Sequence, residues 1–130
     1  MKMLIYIGTG SFMGGVARYM LTRYVAAGIV GAVPYGTLAV NVLGCMLLGA
    51  IYELSNYYVD MPLEIKLMLA VGFCGGFTTF STFMAENMAM LSMNKLLQCA
   101  TYAAASLLLG FVAMWAGHRM VQWLICQKWI

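Results

Sequence analysis

The sequence predicts an all-α integral membrane protein, with four transmembrane helices and the third of them broken near mid-membrane, as a single domain over residues 1–130. Three observations carry that reading. Only 8% of the residues are Asp, Glu, Lys or Arg and 64% are hydrophobic, whereas a soluble domain is about a quarter charged. The apolar residues arrive in four blocks, Leu4–Ile29, Tyr35–Tyr52, Leu63–Met90 and Leu96–Ile125, each long enough for a hydrocarbon core that takes about 20 helical residues, with a range of about 17 to 25. The third block carries at its centre glycines and β-branched or hydroxylated residues with poor helix propensity.

The first block follows a lone Lys2 and resembles a signal peptide, but no small-residue cleavage site leads into a polar mature sequence, so it is expected to stay as a helix. Gly10 and Gly14 form a small-x-x-x-small pair that lets a neighbouring backbone approach closely. Arg18 is the fifteenth residue of the block, about 21 Å along the helix axis at 1.5 Å per residue. A guanidinium at that depth costs about 2.5 to 3.5 kcal/mol on insertion scales and must meet carbonyls, an acid or water. A structural clamp and an electrostatic attractor for anions are both open to it.

The short connection Gly28 to Pro34, with Gly31 and Pro34 in it, makes the first two helices antiparallel neighbours. In the second block Thr37, Asn41, Gly44 and Leu48 recur at helical spacing and put an amide and small residues on one stripe. Ser55 to Pro62, with its tyrosines, Asp60 and proline, reads as a connection at the membrane interface.

The third block contains Gly72, Gly75 and Gly76, followed by Phe77-Thr78-Thr79-Phe80-Ser81-Thr82-Phe83. The glycine pair lies at the middle of the block, so a break there falls near mid-membrane. Freed amides and carbonyls at such depth have to line a cavity or meet an ion. Close packing of an unbroken helix is the competing reading of the same glycines. Phe77, Phe80 and Phe83 recur at i, i+3 and i+6, and ring edges are positive enough to face an anion. The fourth block runs from Lys95 to about Gln127, with Tyr102 and Ser106 one turn apart and able to face the third helix. His118 and Arg119, beside Trp115, Trp123 and Trp129, read as interfacial anchors rather than a proton relay.

Charge and cysteine content exclude several classes. The net charge of +3 is scattered, with no basic run for a nucleic acid. Cys45, Cys74, Cys99 and Cys126 fall one per block, with no C-x-x-C spacing, and read as small buried residues. Lys2, Lys66, Arg119 and Lys128 fall on one side and Arg23 and Lys95 on the other, so the orientation signal of four against two is weak. Such a chain could insert both ways and pair with an inverted copy of itself.

The polar groups expected at membrane depth are Asn41, Thr78, Thr79, Ser81, Thr82, Tyr102, Ser106 and the charged Arg18. Nearly all are neutral hydrogen-bond donors, with no acid or histidine placed as a proton carrier. A path lined by amide and hydroxyl donors with positive charge nearby suits an anion. Glu53 and Glu86 are expected toward the block ends. A small multidrug exporter would also have four short helices and dual topology, but it would need an acid in the first helix, where this chain has Arg18. A purely structural membrane subunit would have little use for donors at mid-depth.

Gly36-Thr37-Leu38-Ala39-Val40-Asn41-Val42-Leu43-Gly44, together with Gly72-Phe73-Cys74-Gly75-Gly76-Phe77-Thr78-Thr79-Phe80-Ser81-Thr82-Phe83 and Gly15-Val16-Ala17-Arg18-Tyr19, resembles the signatures of the Fluc (CrcB) fluoride channel family, and the resemblance spans the whole chain. It implies a dual-topology antiparallel homodimer in the inner (plasma) membrane, with two pores that conduct fluoride passively and reject chloride. This is a transport activity and not an enzymatic one. The resemblance further implies a sodium ion on the two-fold axis, held by the backbone carbonyls of Gly75 and Thr78 from both subunits. It makes Asn41 a pore-lining donor and Phe80 and Phe83 the ring edges that meet fluoride, with the Ser81 and Thr82 hydroxyls near the ion path. Tyr102 and Ser106 join the pore by helix position.

Overall fold

The computed structural model describes residues 1–28 and 33–127, and every regular element within them is a helix. Ile29 and Gly31 of the first connection, and Lys128 and Trp129 of the C-terminal anchor, lie outside the described residues. The elements are α1 (Lys2–Gly28), α2 (Tyr35–Tyr57), α3 (Leu63–Leu67), a π-helical stretch (Met68–Cys74), α4 (Gly75–Phe77), α5 (Phe80–Ser92) and α6 (Leu96–Gln127). Helix α2 continues five residues past the apolar block, to Tyr57, so Ser55 to Tyr57 are helical rather than part of the connection.

Three of these stretches are long and apolar enough to cross a membrane: Tyr35–Tyr57, Leu63–Ser92 and Leu96–Gln127. Helix α1 has the length, 27 residues, but is the least apolar of the long helices because glycines and hydroxyls interrupt it.

Glycines set the register of the bundle. A Cβ on Gly10 or Gly14 would collide with the backbone of Met68, Phe73 or Phe77, and one on Gly76 with Ser11. Helix α1 therefore runs parallel to the third stretch with the two backbones in direct contact, as small residues allow between membrane helices. A Cβ on Gly36 would meet Thr22, which pairs the start of α2 with the end of α1 in antiparallel sense. Gly49 packs on the Met114 backbone and Gly117 on that of Met46, which locks α2 and α6 together as parallel neighbours. The most extensive packing is between α2 and α6, followed by α1 against the π-helical stretch. The result is an up-down-up-down bundle. Its interior is thin: Val40, Phe77 and Tyr102 are buried, whereas Phe12, Phe111, Leu107, Leu108 and Trp115 face outward. Lipid or another protein surface has to cover that much apolar area.

The third stretch leaves helical geometry, but not at the glycines. Gly75 has ordinary helical dihedrals, φ −64° and ψ −37°, and Gly76 is used for contact with α1. The chain turns extended three residues later, at Thr78 (φ −82°, ψ 158°) and Thr79 (φ −148°, ψ 117°). The threonines can hold that step because their hydroxyls supply local bonds. Thr78 Oγ1 donates to the Cys74 carbonyl at 2.9 Å, and Thr79 Oγ1 accepts from the Thr82 amide at 3.3 Å as the N-cap of α5. Glycine pairs offer no such bond.

Candidate functional site

The extended step exposes the backbone groups that the remaining helices then claim. Asn41 on α2 makes a closed pair with the Thr79 peptide: its Oδ1 accepts the Thr79 amide at 2.8 Å and its Nδ2 donates to the Thr79 carbonyl at 3.0 Å. That amide would have served the Gly75 carbonyl in a continuing helix, so Gly75 is left with a carbonyl free of its usual partner. Arg18 on α1 donates from Nη1 to the Thr78 carbonyl at 3.3 Å. Two polar side chains from two helices thus hold the interruption.

Beside it opens a cavity of about 360 Å³ whose lining includes Asn41, Thr78, Thr79, Phe80, Phe83 and Ser106. Among the described residues, no Asp, Glu, His, Lys or Arg lines it. The Ser106 hydroxyl is fully buried and, among the described residues, has no hydrogen-bond partner. A buried hydroxyl without a partner is unusual enough to call for an explanation such as an ion or water. Phe80 is 74% exposed and extends past the break. Its ring centroid lies 5.9 Å from that of Phe83, which in turn lies 5.2 Å from Tyr102.

Of the sequence-predicted residues, Asn41, Phe80, Phe83 and Ser106 share this cavity, and Gly75 and Thr78 border it. Ser81 and Thr82 lie one layer away: Thr79 Oγ1 donates to Thr82 Oγ1 at 3.0 Å and is 3.4 Å from Ser81 Oγ. Tyr102 joins through the Phe83 ring, and its hydroxyl donates to Glu86 Oε2 at 2.8 Å. Phe77 leaves the expected aromatic row. The row assumed one continuous helix, but Phe77 precedes the extended step and is buried in a stack on Phe73, with ring centroids 5.7 Å apart.

Glu86 lies toward the end of its block, as expected, but with partners that sequence reasoning did not name. It is half-buried and held between α2 and α6, accepting from Thr37 Oγ1 at 2.5 Å as well as from Tyr102. A signal for this placement was available: Thr82, Phe83 and Glu86 fall at i, i+1 and i+4 and so share one face of α5, in line with its N-cap Thr79. Glu86 also lines a second cavity, of about 160 Å³, that contains Lys95 and Pro34. At the opposite end of the bundle His118 Nδ1 lies 3.1 Å from Glu53 Oε2 and its Nε2 lies 3.1 Å from Gln122. Arg119 is over the Trp115 ring and Lys66 over that of Tyr52, as cations and aromatics pair at membrane interfaces. Cys74 is buried and Cys45 and Cys99 half-buried, but Cys126 is exposed, because it lies on the outer face of the last turn of α6.

Comparison with known proteins covers almost the whole chain. The family model described as CrcB-like protein, Camphor Resistance (CrcB) matches residues 5–118. A fluoride-specific ion channel FluC of Chlorobium chlorochromatii (strain CaD3) is 39% identical over 121 residues, 93% of either chain. One from Prosthecochloris aestuarii (strain DSM 271 / SK 413) is 42% identical over 119 residues, 92% of either chain. Another, from Phocaeicola vulgatus (strain ATCC 8482), is 40% identical over 120 residues, 92% of this chain and 98% of that protein.

Proposed function

Because the chain belongs to the CrcB-like family, we propose that it is a fluoride-selective channel, a multi-pass protein of the plasma membrane through which fluoride leaves the cytoplasm passively and intracellular toxicity falls. The observation that carries the mechanism is the convergence of uncharged donors and ring edges on one cavity at the interruption of the third helix. A small anion gives up its water shell only where donors replace it. Here the second Nδ2 hydrogen of Asn41 and the unpartnered Ser106 hydroxyl are available. The edges of Phe80 and Phe83 add positive rims on an otherwise apolar wall. The start of α5 points the positive end of its dipole at the same place. With Arg18 close by, the local potential favours anions over cations. The interior-negative membrane supplies the direction, about 2.3 kcal/mol per charge per 100 mV.

The finer architecture belongs to the same reading. Helix α1 is taken as the fourth span. The Thr78–Thr79 step is level with Gly14 and Arg18, near the middle of α1, which supports a position at mid-depth. The exposed apolar face and Phe80 are to be covered by an inverted second copy in an antiparallel homodimer. A structural sodium ion on the two-fold axis would be held by the carbonyls of Gly75 and Thr78. The fit is uneven: the Gly75 carbonyl is free of its helical partner and a Cβ there would meet nothing within 4 Å, leaving room for a second copy. The Thr78 carbonyl already accepts from Arg18. When bound, the ion would neutralise the carbonyl ends of two interrupted helices, the arrangement by which half-helices bind cations in membranes.

Purified protein in liposomes loaded with fluoride should release it on addition of a potassium ionophore, read by a fluoride electrode, while chloride-loaded liposomes stay tight. Equal release of both halides would end the selectivity reading, and no release of either would end the channel reading.

A further inference from the structure

Arg18 is poorly provided for. Among the described residues it has no carboxylate within 4 Å, and its hydrogen bond goes to the Thr78 carbonyl, at 3.3 Å. A guanidinium is always charged and carries five N–H donors, so in a half-buried place without a counter-ion this carbonyl is its main source of negative potential. The carbonyl is available for one reason: Thr78 is extended, and the helix that would have used its oxygen stops there.

We propose that the Arg18 guanidinium is the resident cation of the Thr78 carbonyl and competes with sodium for it, so that Arg18 sets the sodium affinity of the channel. The inference rests on the sodium reading above. The oxygen has two lone pairs and could face both cations, but two positive charges bonded to one oxygen are a few ångströms apart in a region of low dielectric, where their repulsion is not screened by water. Sodium can take the site fully only as the guanidinium withdraws. Withdrawal frees N–H donors beside the cavity, which links cation binding to the positive potential that draws anions in. Arg18 then serves as a positioning residue for the permeation site, acting through the Thr78 carbonyl and not as a permanent clamp of the helix break.

Sodium titrations of the purified protein, in a background of a large organic cation, test this without any flux measurement. Calorimetry gives the sodium affinity directly, and the rise of the thermal midpoint with sodium reports the same equilibrium. Removing the charge in Arg18→Gln should tighten sodium binding by about tenfold or more, the size expected when a like charge a few ångströms away is deleted. Arg18→Lys, which keeps the charge, should stay within about threefold of the unaltered protein on the same electrostatic ground. An unchanged or weaker affinity in Arg18→Gln overturns the competition while leaving the sodium reading in place. No sodium dependence in any of the proteins overturns the sodium reading and the competition together. Should Arg18→Gln fail to fold, the unaltered protein decides: its Arg18 side-chain nitrogen resonances, assigned by their loss in Arg18→Lys, should move as sodium saturates. If they stay fixed through saturation, the proposal is wrong.

Discussion

At the scale of single residues the site depends on side chains that substitute for missing backbone partners. Asn41 is both donor and acceptor to one peptide, and only an amide can be both at that reach. In Asn41→Asp the carboxylate still accepts the Thr79 amide but faces the Thr79 carbonyl with a second acceptor, and it brings a negative charge into the cavity proposed to pass an anion. Thermal stability should fall by about 1 to 3 kcal/mol, the cost of leaving a buried polar group unmatched, and fluoride release from liposomes should drop by about tenfold or more, the equivalent of about 1.4 kcal/mol. A variant with unchanged release would remove Asn41 from the pore. Tyr102 is tested through its acceptor. With Tyr102→Phe, Glu86 keeps Thr37 and loses one hydroxyl, which should lower the unfolding midpoint by several degrees for a cost again near 1 to 3 kcal/mol. An unaltered midpoint would show that water replaces the hydroxyl freely. Asn41 and Ser106, which meet at one cavity, were legible in the sequence as polar groups that stand out from an apolar run. The partners of Glu86 were not, because Thr37 and Tyr102 reach it from other helices, remote in sequence.

At the scale of elements, the decisive contact is between α1 and the third stretch. The glycine pairs were readable as packing faces, and the backbones do touch there. The position of the interruption was not readable from glycine content, since Gly75 and Gly76 serve helix and packing, and the local threonine bonds that hold the step are joined by bonds from Asn41 and Arg18, remote in sequence. Phe77 was misplaced for the same reason: a spacing rule holds only while the helix continues. The contact itself gives a sharp comparison. A Cβ at Gly14 falls on the Phe73 carbonyl and the Phe77 amide, whereas one at Gly15 meets nothing within 4 Å. Gly14→Ala should therefore destabilise the protein by about 1 to 3 kcal/mol, as overpacking against backbone does, and Gly15→Ala should leave the thermal midpoint unchanged or slightly raised, since alanine favours helix. Equal behaviour of the two would mean that α1 is free to move away from the third stretch.

At the scale of the whole molecule, the apolar exterior and the charge balance bear on one question, the orientation of the chain. Orientation follows the Lys and Arg bias of short loops, and here Lys2, Lys66, Arg119 and Lys128 on one side oppose Arg23 and Lys95 on the other. A difference this small leaves the two insertions close in free energy, and only then can each membrane hold both partners of an inverted pair. Neutralising Arg23 and Lys95 together, to Gln, removes all opposition, so the chain should insert one way and a C-terminal reporter should report a single side, where the proposed dual topology has the unaltered chain report both. Antiparallel pairing would then lack half of its material, and fluoride release per milligram of protein should fall severalfold although every pore residue is intact. Co-expression with a second variant, in which Lys2, Lys66, Arg119 and Lys128 are neutralised, supplies the opposite orientation and should restore release. If the first variant conducts normally by itself while its reporter shows one side only, the functional unit does not need the inverted copy, and the exposed face of α6 is covered by lipid or by a parallel partner.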